Sequence, residues 1–116
     1  MMKGRAGSIG VLAALSGALA VAAGAFAAHE ATARAGELLR TGAHYQLIHA
    51  VAAFVALGRP RGGAAAWLFV LGGALFAGSL YALAFGAPRM VGAITPIGGV
   101  ALILGWLALA TGAGRC

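Results

Sequence analysis

Apolar residues fill this chain in long runs, and polar residues gather at the breaks between them. Four membrane-spanning segments follow from that pattern: residues 8–28, 43–57, 64–85 and 89–111. Most reach the ~20 residues that a helix rising 1.5 Å per residue needs to cross ~30 Å of hydrocarbon. The second is shorter and can extend back into the segment before it. "GRPRGG" parts the second and third spans and "GAPR" the third and fourth, and both read as turns. Connections this short favour neighbours that run in opposite directions. The expected fold is all-α, an integral membrane four-helix up-down bundle forming a single domain over residues 1–116.

The stretch between the first two spans, "EATARAGELLRT", has its own period. Glu30, Arg34, Glu37 and Thr41 recur at helical spacing, while Leu38 and Leu39 point elsewhere. This predicts a short amphipathic helix lying at the outer interface. Glu30 and Arg34 form an i,i+4 pair in the favourable order, worth a few tenths of a kcal/mol. The N-terminus resembles a signal peptide, with Lys3 and Arg5 ahead of an apolar run and "AFA" before Ala28. That run outlasts the 7–15 residues of a signal core, so the first span is expected to be retained.

Composition agrees with the pattern. Hydrophobic residues make up 62% of the chain and charged residues 9%, too little charge to cover a soluble domain. The net charge of +6 could suit nucleic acid, but the basic residues stand singly between apolar runs, so no nucleic-acid partner is expected. They read instead as topology signals. With the N-terminus inside, Lys3, Arg5, Arg59, Arg61 and Arg115 lie on the inner side, against Arg34, Arg40 and Arg89 outside. This bias predicts a multi-pass membrane protein with both termini cytoplasmic. Trp67 and Trp106 then fall towards the cytoplasmic interface. Cys116 is the single cysteine and cannot form an intrachain disulfide.

Lipid tails are as apolar as leucine, so close backbone approach must hold the helices together. Two stripes of small residues offer it: Ala74, Gly78, Ala82 and Gly86 on the third span, and Ala20, Gly24 and Ala28 on the first. Such stripes suit packing within the bundle or between copies of it. The expected partners are therefore the lipid bilayer and either further copies of the chain or a larger membrane complex. A large residue at Gly78 is expected to wedge the third span's stripe open. Pro96 lies inside the fourth span and is expected to kink it.

"TGAHYQLIHA" concentrates hydrogen-bonding groups at the mouth of the second span. At 100° per residue Thr41, Tyr45 and His49 stack on one face with Gln46 on its flank. Polar groups of this kind should face protein rather than lipid. Counted from the outer ends of their spans, His49, Tyr81 and Thr95 share a depth of about 8–9 Å at 1.5 Å per residue. Together they suggest an outer-leaflet pocket lined by Tyr45, Gln46, His49, Tyr81 and Thr95, with His29 near its mouth. The reading set ahead of a ligand site is that the same residues serve as interhelical ties, each worth about 0.6 kcal/mol.

"GAFAAH" (Gly24–His29), "TGAHYQLIH" (Thr41–His49), "LFAGSLY" (Leu75–Tyr81), "TPIGG" (Thr95–Gly99) and "GW" (Gly105–Trp106) occur in this order along the chain. In these pieces it resembles the YgdD/YwdK-like small membrane proteins, a domain-of-unknown-function family with bacterial and mitochondrial relatives. The resemblance covers nearly the whole chain and implies a four-helix inner-membrane protein of about this length. It assigns no activity.

Three functions compete. Small size and smooth packing faces favour a non-catalytic accessory or scaffold component. The His/Tyr cluster favours a small transporter or channel component. A metal- or haem-binding role is the weakest: no tight ligand spacing is present, and His29 and His49 differ in depth. Catalysis lacks its usual groups, since aspartate is absent and both acids, Glu30 and Glu37, precede the second span. No cofactor is expected.

Overall fold

Thr32 starts the second helix by accepting a hydrogen bond on its side chain from the Ala35 N–H at 3.3 Å. In the computed structural model, which describes residues 5–29, 31–60 and 62–113, that helix is one of four. They are α1 (Arg5–His29), α2 (Ala33–Leu57), α3 (Gly62–Ala84) and α4 (Ile94–Ala113), with a 3-10 turn at Arg89–Ala93 before the last. No strand occurs among the described residues, so the fold is all-α. Lys3, Glu30, Arg61, Arg115 and Cys116 lie outside the described residues, and with them the Glu30–Arg34 pair.

Three segments are long and apolar enough to cross a membrane: Gly7–His29, Gly62–Ala84 and Arg89–Gly112. The second helix is as long but more polar. From Gln46 on its polarity is turned inward: Gln46 and His49 are buried and Leu47, Ile48, Val51, Phe54 and Val55 exposed, whereas Thr41, His44 and Tyr45 before them are exposed.

The separate interfacial helix does not form. The helix runs unbroken from Ala33 to Leu57, so Arg34 to Thr41 are its first turns. Nothing between those ends stops it: there is no proline, and its glycines are held by packing. Gly36 is buried near the Ala27 carbonyl, and Gly42 is buried against the Tyr81 ring.

Packing follows sequence order, with α3 touching every other helix. Ala13, Gly17, Ala20, Gly24 and Ala27 alternate four and three apart along α1, and Leu39, Ala43, Gln46, Ala50 and Ala53 do so along α2. This 3.5-residue period keeps one seam facing a partner. A Cβ on Gly17 would meet Ala50 across it, and one on Gly24 would meet Ala43, both at ordinary van der Waals distance. The first-span stripe therefore packs inside the chain at Ala20 and Gly24, while Ala28 is exposed.

The third-span stripe does not. Ala74 and Gly78 are exposed, and a Cβ on Gly78 would meet nothing within 4 Å. Ala82 is only half-buried. Gly86 serves another purpose: with φ +101° it takes the left-handed conformation that closes α3. Ala87 N–H reaches back to the Ala82 carbonyl at 2.9 Å and Gly86 N–H to Leu83 at 3.2 Å. The close approach of α3 to α4 lies on the opposite face, at Gly72, Gly98 and Gly105. A Cβ on Gly98 would run into the Phe76 backbone, and one on Gly105 would come within 2.7 Å of the Phe69 ring.

Pro96 causes no mid-helix break. It is the third residue of α4, in the first turn, where its missing N–H has no intrahelical acceptor to lose. The expected kink is instead a change from 3-10 to α-helix at Ala93–Ile94. Few large side chains fill the interior: Phe69 and Leu39 are the largest that are fully buried, and alanines supply most of the rest.

Candidate functional site

Residues 45, 46 and 49 lie within one turn of α2 yet serve three directions. Gln46 sits where the α1 and α3 faces of α2 overlap. Its Nε2 donates to Ser16 Oγ on α1 at 3.0 Å, and its Oε1 accepts from the Tyr81 hydroxyl on α3 at 2.6 Å. One buried amide thus ties three helices, using its donor and its acceptor separately.

His49 faces α3 and α4. Trp106 Nε1–H donates to His49 Nε2 at 2.9 Å. That leaves the ring hydrogen on Nδ1, which donates to the Tyr45 carbonyl at 2.6 Å. The indole can only donate, so it fixes the tautomer. Around this bond stand aromatic rings: Phe69 centres 5.5 Å from His49 and 4.8 Å from Trp106, and Tyr45 centres 4.8 Å from Phe76.

A third tie joins α3 to α4. The Ser79 hydroxyl donates to the Phe76 carbonyl at 2.8 Å, so the Thr95 hydroxyl donates to Ser79. No buried side-chain nitrogen or oxygen among the described residues lacks a partner.

The single pocket read from the sequence is therefore divided. Gln46 and Tyr81 do meet. His49 is buried, stacked on Tyr45 with ring centres 6.3 Å apart, but its hydrogen-bond partners are Trp106 and a backbone carbonyl. Thr95 pairs with Ser79 rather than with Tyr81 or His49. His29 is exposed at the end of α1 and joins none of these bonds. The depth count treated a shared level as a shared face. Ser79 and Tyr81 are two residues, about 200°, apart on α3, so they address different neighbours.

Sequence reasoning missed Ser16, Ser79 and Trp106. Ser16 was visible as the lone hydroxyl amid "AALSGAL". Trp106 was read as an interfacial anchor because tryptophans favour that level; its pairing with His49 needs the α2/α4 geometry. What the separated ties leave open is a groove between α2 and α4 of about 400 Å³, lined by Tyr45, His49, Phe76, Leu102, Ile103 and Trp106.

Long apolar helices, an alanine-rich interior and polar groups paired inside it define a small all-α membrane protein. Comparison with known proteins gives the family. The family described as "Protein of unknown function (DUF423)" matches residues 23–99. A UPF0382 membrane protein of Haemophilus influenzae is 46% identical over 110 residues, covering 87% of this chain and 89% of the relative. The UPF0382 membrane protein YwdK of Bacillus subtilis is 37% identical, covering 89% and 93%. The UPF0382 inner membrane protein YgdD of Escherichia coli K12 is 35% identical, covering 90% and 88%. The chain belongs to this family. No solved structure matches it.

Proposed function

We propose that this protein is a non-catalytic accessory component of the inner membrane that assembles with copies of itself or with a larger membrane complex. The observation that carries this reading is the use made of the polar side chains. Gln46, His49, Ser79, Tyr81, Thr95 and Trp106 are bonded to one another, to Ser16 or to backbone, across helix pairs. Polar groups consumed in this way hold helices together. A transport path would need such groups aimed at water along its length.

All four helices cross the bilayer in up-down order in this reading, with both termini cytoplasmic. From Leu47 onward inward-turned polarity lets α2 cross despite its composition, since its exposed residues there are Leu, Ile, Val and Phe. At 1.5 Å per residue its 25 residues span about 37 Å, more than the ~30 Å of hydrocarbon. Its first turns, with exposed Arg34, Glu37 and Arg40, therefore sit at the outer interface and do the work expected of a separate interfacial helix.

The exposed face of α3 around Ala74 and Gly78 supports self-association, because it is smooth and none of the described helices covers it. Gly78→Leu is expected to shift oligomers to monomers in native mass spectra from mild detergent, with the thermal midpoint of the monomer unchanged. Oligomers as abundant in Gly78→Leu as in the wild type would remove this face from the interface. A wild-type chain that is monomeric at every detergent ratio and captures no membrane partner would end the accessory reading.

A further inference from the structure

The α2/α4 groove does not stop at Trp106. Below the cavity walled by Tyr45, His49 and Ile103, a second cavity of about 290 Å³ is lined by Val55, Arg59, Trp106, Leu109 and Ala110. Trp106 lines both and stands between them, so the two cavities lie in line along the α2/α4 side. The helices that flank the cavities share no packed seam; the His49–Trp106 bond bridges them over α3. From Tyr45 to Val55 the two cavities follow α2 for about 15 Å at 1.5 Å per residue. That is close to the depth of one leaflet, half of the ~30 Å hydrocarbon core.

The walls are apolar and aromatic over this length, and the far end carries a cation. Arg59 is exposed in the connection that follows α2. Among the described residues no acid lies near it. Glu37, the one acid described, stands 20 residues, about 30 Å, up α2 from its C-terminal end. Apolar cavities that together span leaflet depth, ending in a guanidinium with no described acid beside it, match an anionic lipid in shape and charge. We propose that this groove seats an acyl chain of an anionic phospholipid, with the lipid phosphate bound by Arg59. Guanidinium suits the phosphate because its fork can donate two parallel hydrogen bonds. Zwitterionic lipids would enter the same groove without net charge to offset Arg59.

Trp106 reports occupancy directly. The chain has two tryptophans, so Trp67→Phe leaves Trp106 as the only indole. This variant would be reconstituted in phosphatidylcholine vesicles and titrated with phosphatidylglycerol or phosphatidylcholine carrying brominated acyl chains, which quench indole on contact. Brominated phosphatidylglycerol is expected to reach half-quenching at about a fivefold lower mole fraction, the factor expected for one basic residue acting on anionic lipid. Arg59→Gln should erase that preference, and Arg59→Lys, which keeps the charge, should retain part of it. Ile103→Phe, on the exposed groove wall, should weaken quenching by both lipids without touching Arg59. Equal quenching by the two headgroups would overturn the proposal. So would a phosphatidylglycerol preference that survives Arg59→Gln, which would assign it to the other basic residues. Competition by millimolar inorganic phosphate would mean that Arg59 serves a soluble anion, and would overturn it too.

Discussion

Gly98→Leu is expected to abolish the monodisperse folded protein in mild detergent. Gly98 is buried where α4 crosses α3, and a side chain there meets backbone on both sides: the Phe76 amide and Cα, and the Gly72 carbonyl. Backbone cannot rotate away as a long side chain can, so the helices must part. Parting them strips Gly72 from Ala101 and Leu102 and pulls Thr95 from Ser79. Overpacking in a tight interior costs about 1–3 kcal/mol and sometimes more, and this site belongs at the upper end. Size-exclusion profiles after brief heating would measure it. Gly78→Leu is the control of equal size for loss of folded protein, because a Cβ there meets nothing within 4 Å; it is expected to move only the oligomer peak to the monomer. Similar loss in both variants would mean that the α3/α4 crossing is wrongly placed.

Phe69→Ala is expected to give the largest effect of any truncation. Phe69 is 1% exposed and joins the alanine core to the aromatic cluster, packing on His49, Trp106 and Gly105. In a soluble protein Phe→Ala costs about 3–5 kcal/mol, part transfer and part cavity. Lipid tails are as apolar as the core, so the transfer part shrinks in a bilayer and the cavity part remains. The expected loss is about 2–3 kcal/mol, read as a lower thermal midpoint. Trp106 emission should change as well, since the Phe69 ring centres 4.8 Å from it. A near-neutral Phe69→Ala would show that this region is loosely packed.

The helices themselves were legible because each is a long apolar run that ends at a turn signal. Their contacts were less so. Spacing by four picked out Ala74, Gly78, Ala82 and Gly86 as a packing stripe, yet α3 turns its opposite side to α4, through Gly72. Small residues stand on several faces of α3, and its sequence does not rank those faces. The seam between α1 and α2 was clearer, because Ala20 and Gly24 fall on a 3.5-residue period that Ala43, Gln46 and Ala50 answer. "TGAHYQLIHA" announced buried polar chemistry, and Gln46 and His49 are indeed buried. Which groups they meet depends on helix rotation, which depth alone does not give. Hence His49 finds Trp106, and Thr95 finds Ser79. Pro96 was placed in a helix interior because the 3-10 turn at Arg89–Ala93 continues the apolar pattern without a break.

The claim on which the accessory reading depends is that polar side chains inside the bundle act as ties between helices. The His49–Trp106 pair tests it most directly, through a double-mutant cycle of His49→Phe, Trp106→Phe and the double variant, followed by unfolding in detergent. Phenylalanine keeps a ring at both positions and removes only the polar groups. Interhelical hydrogen bonds in membrane proteins average about 0.6 kcal/mol and reach about 1.7, and a coupling in that range is expected here. Strictly additive effects, with no coupling between the two positions, would contradict it.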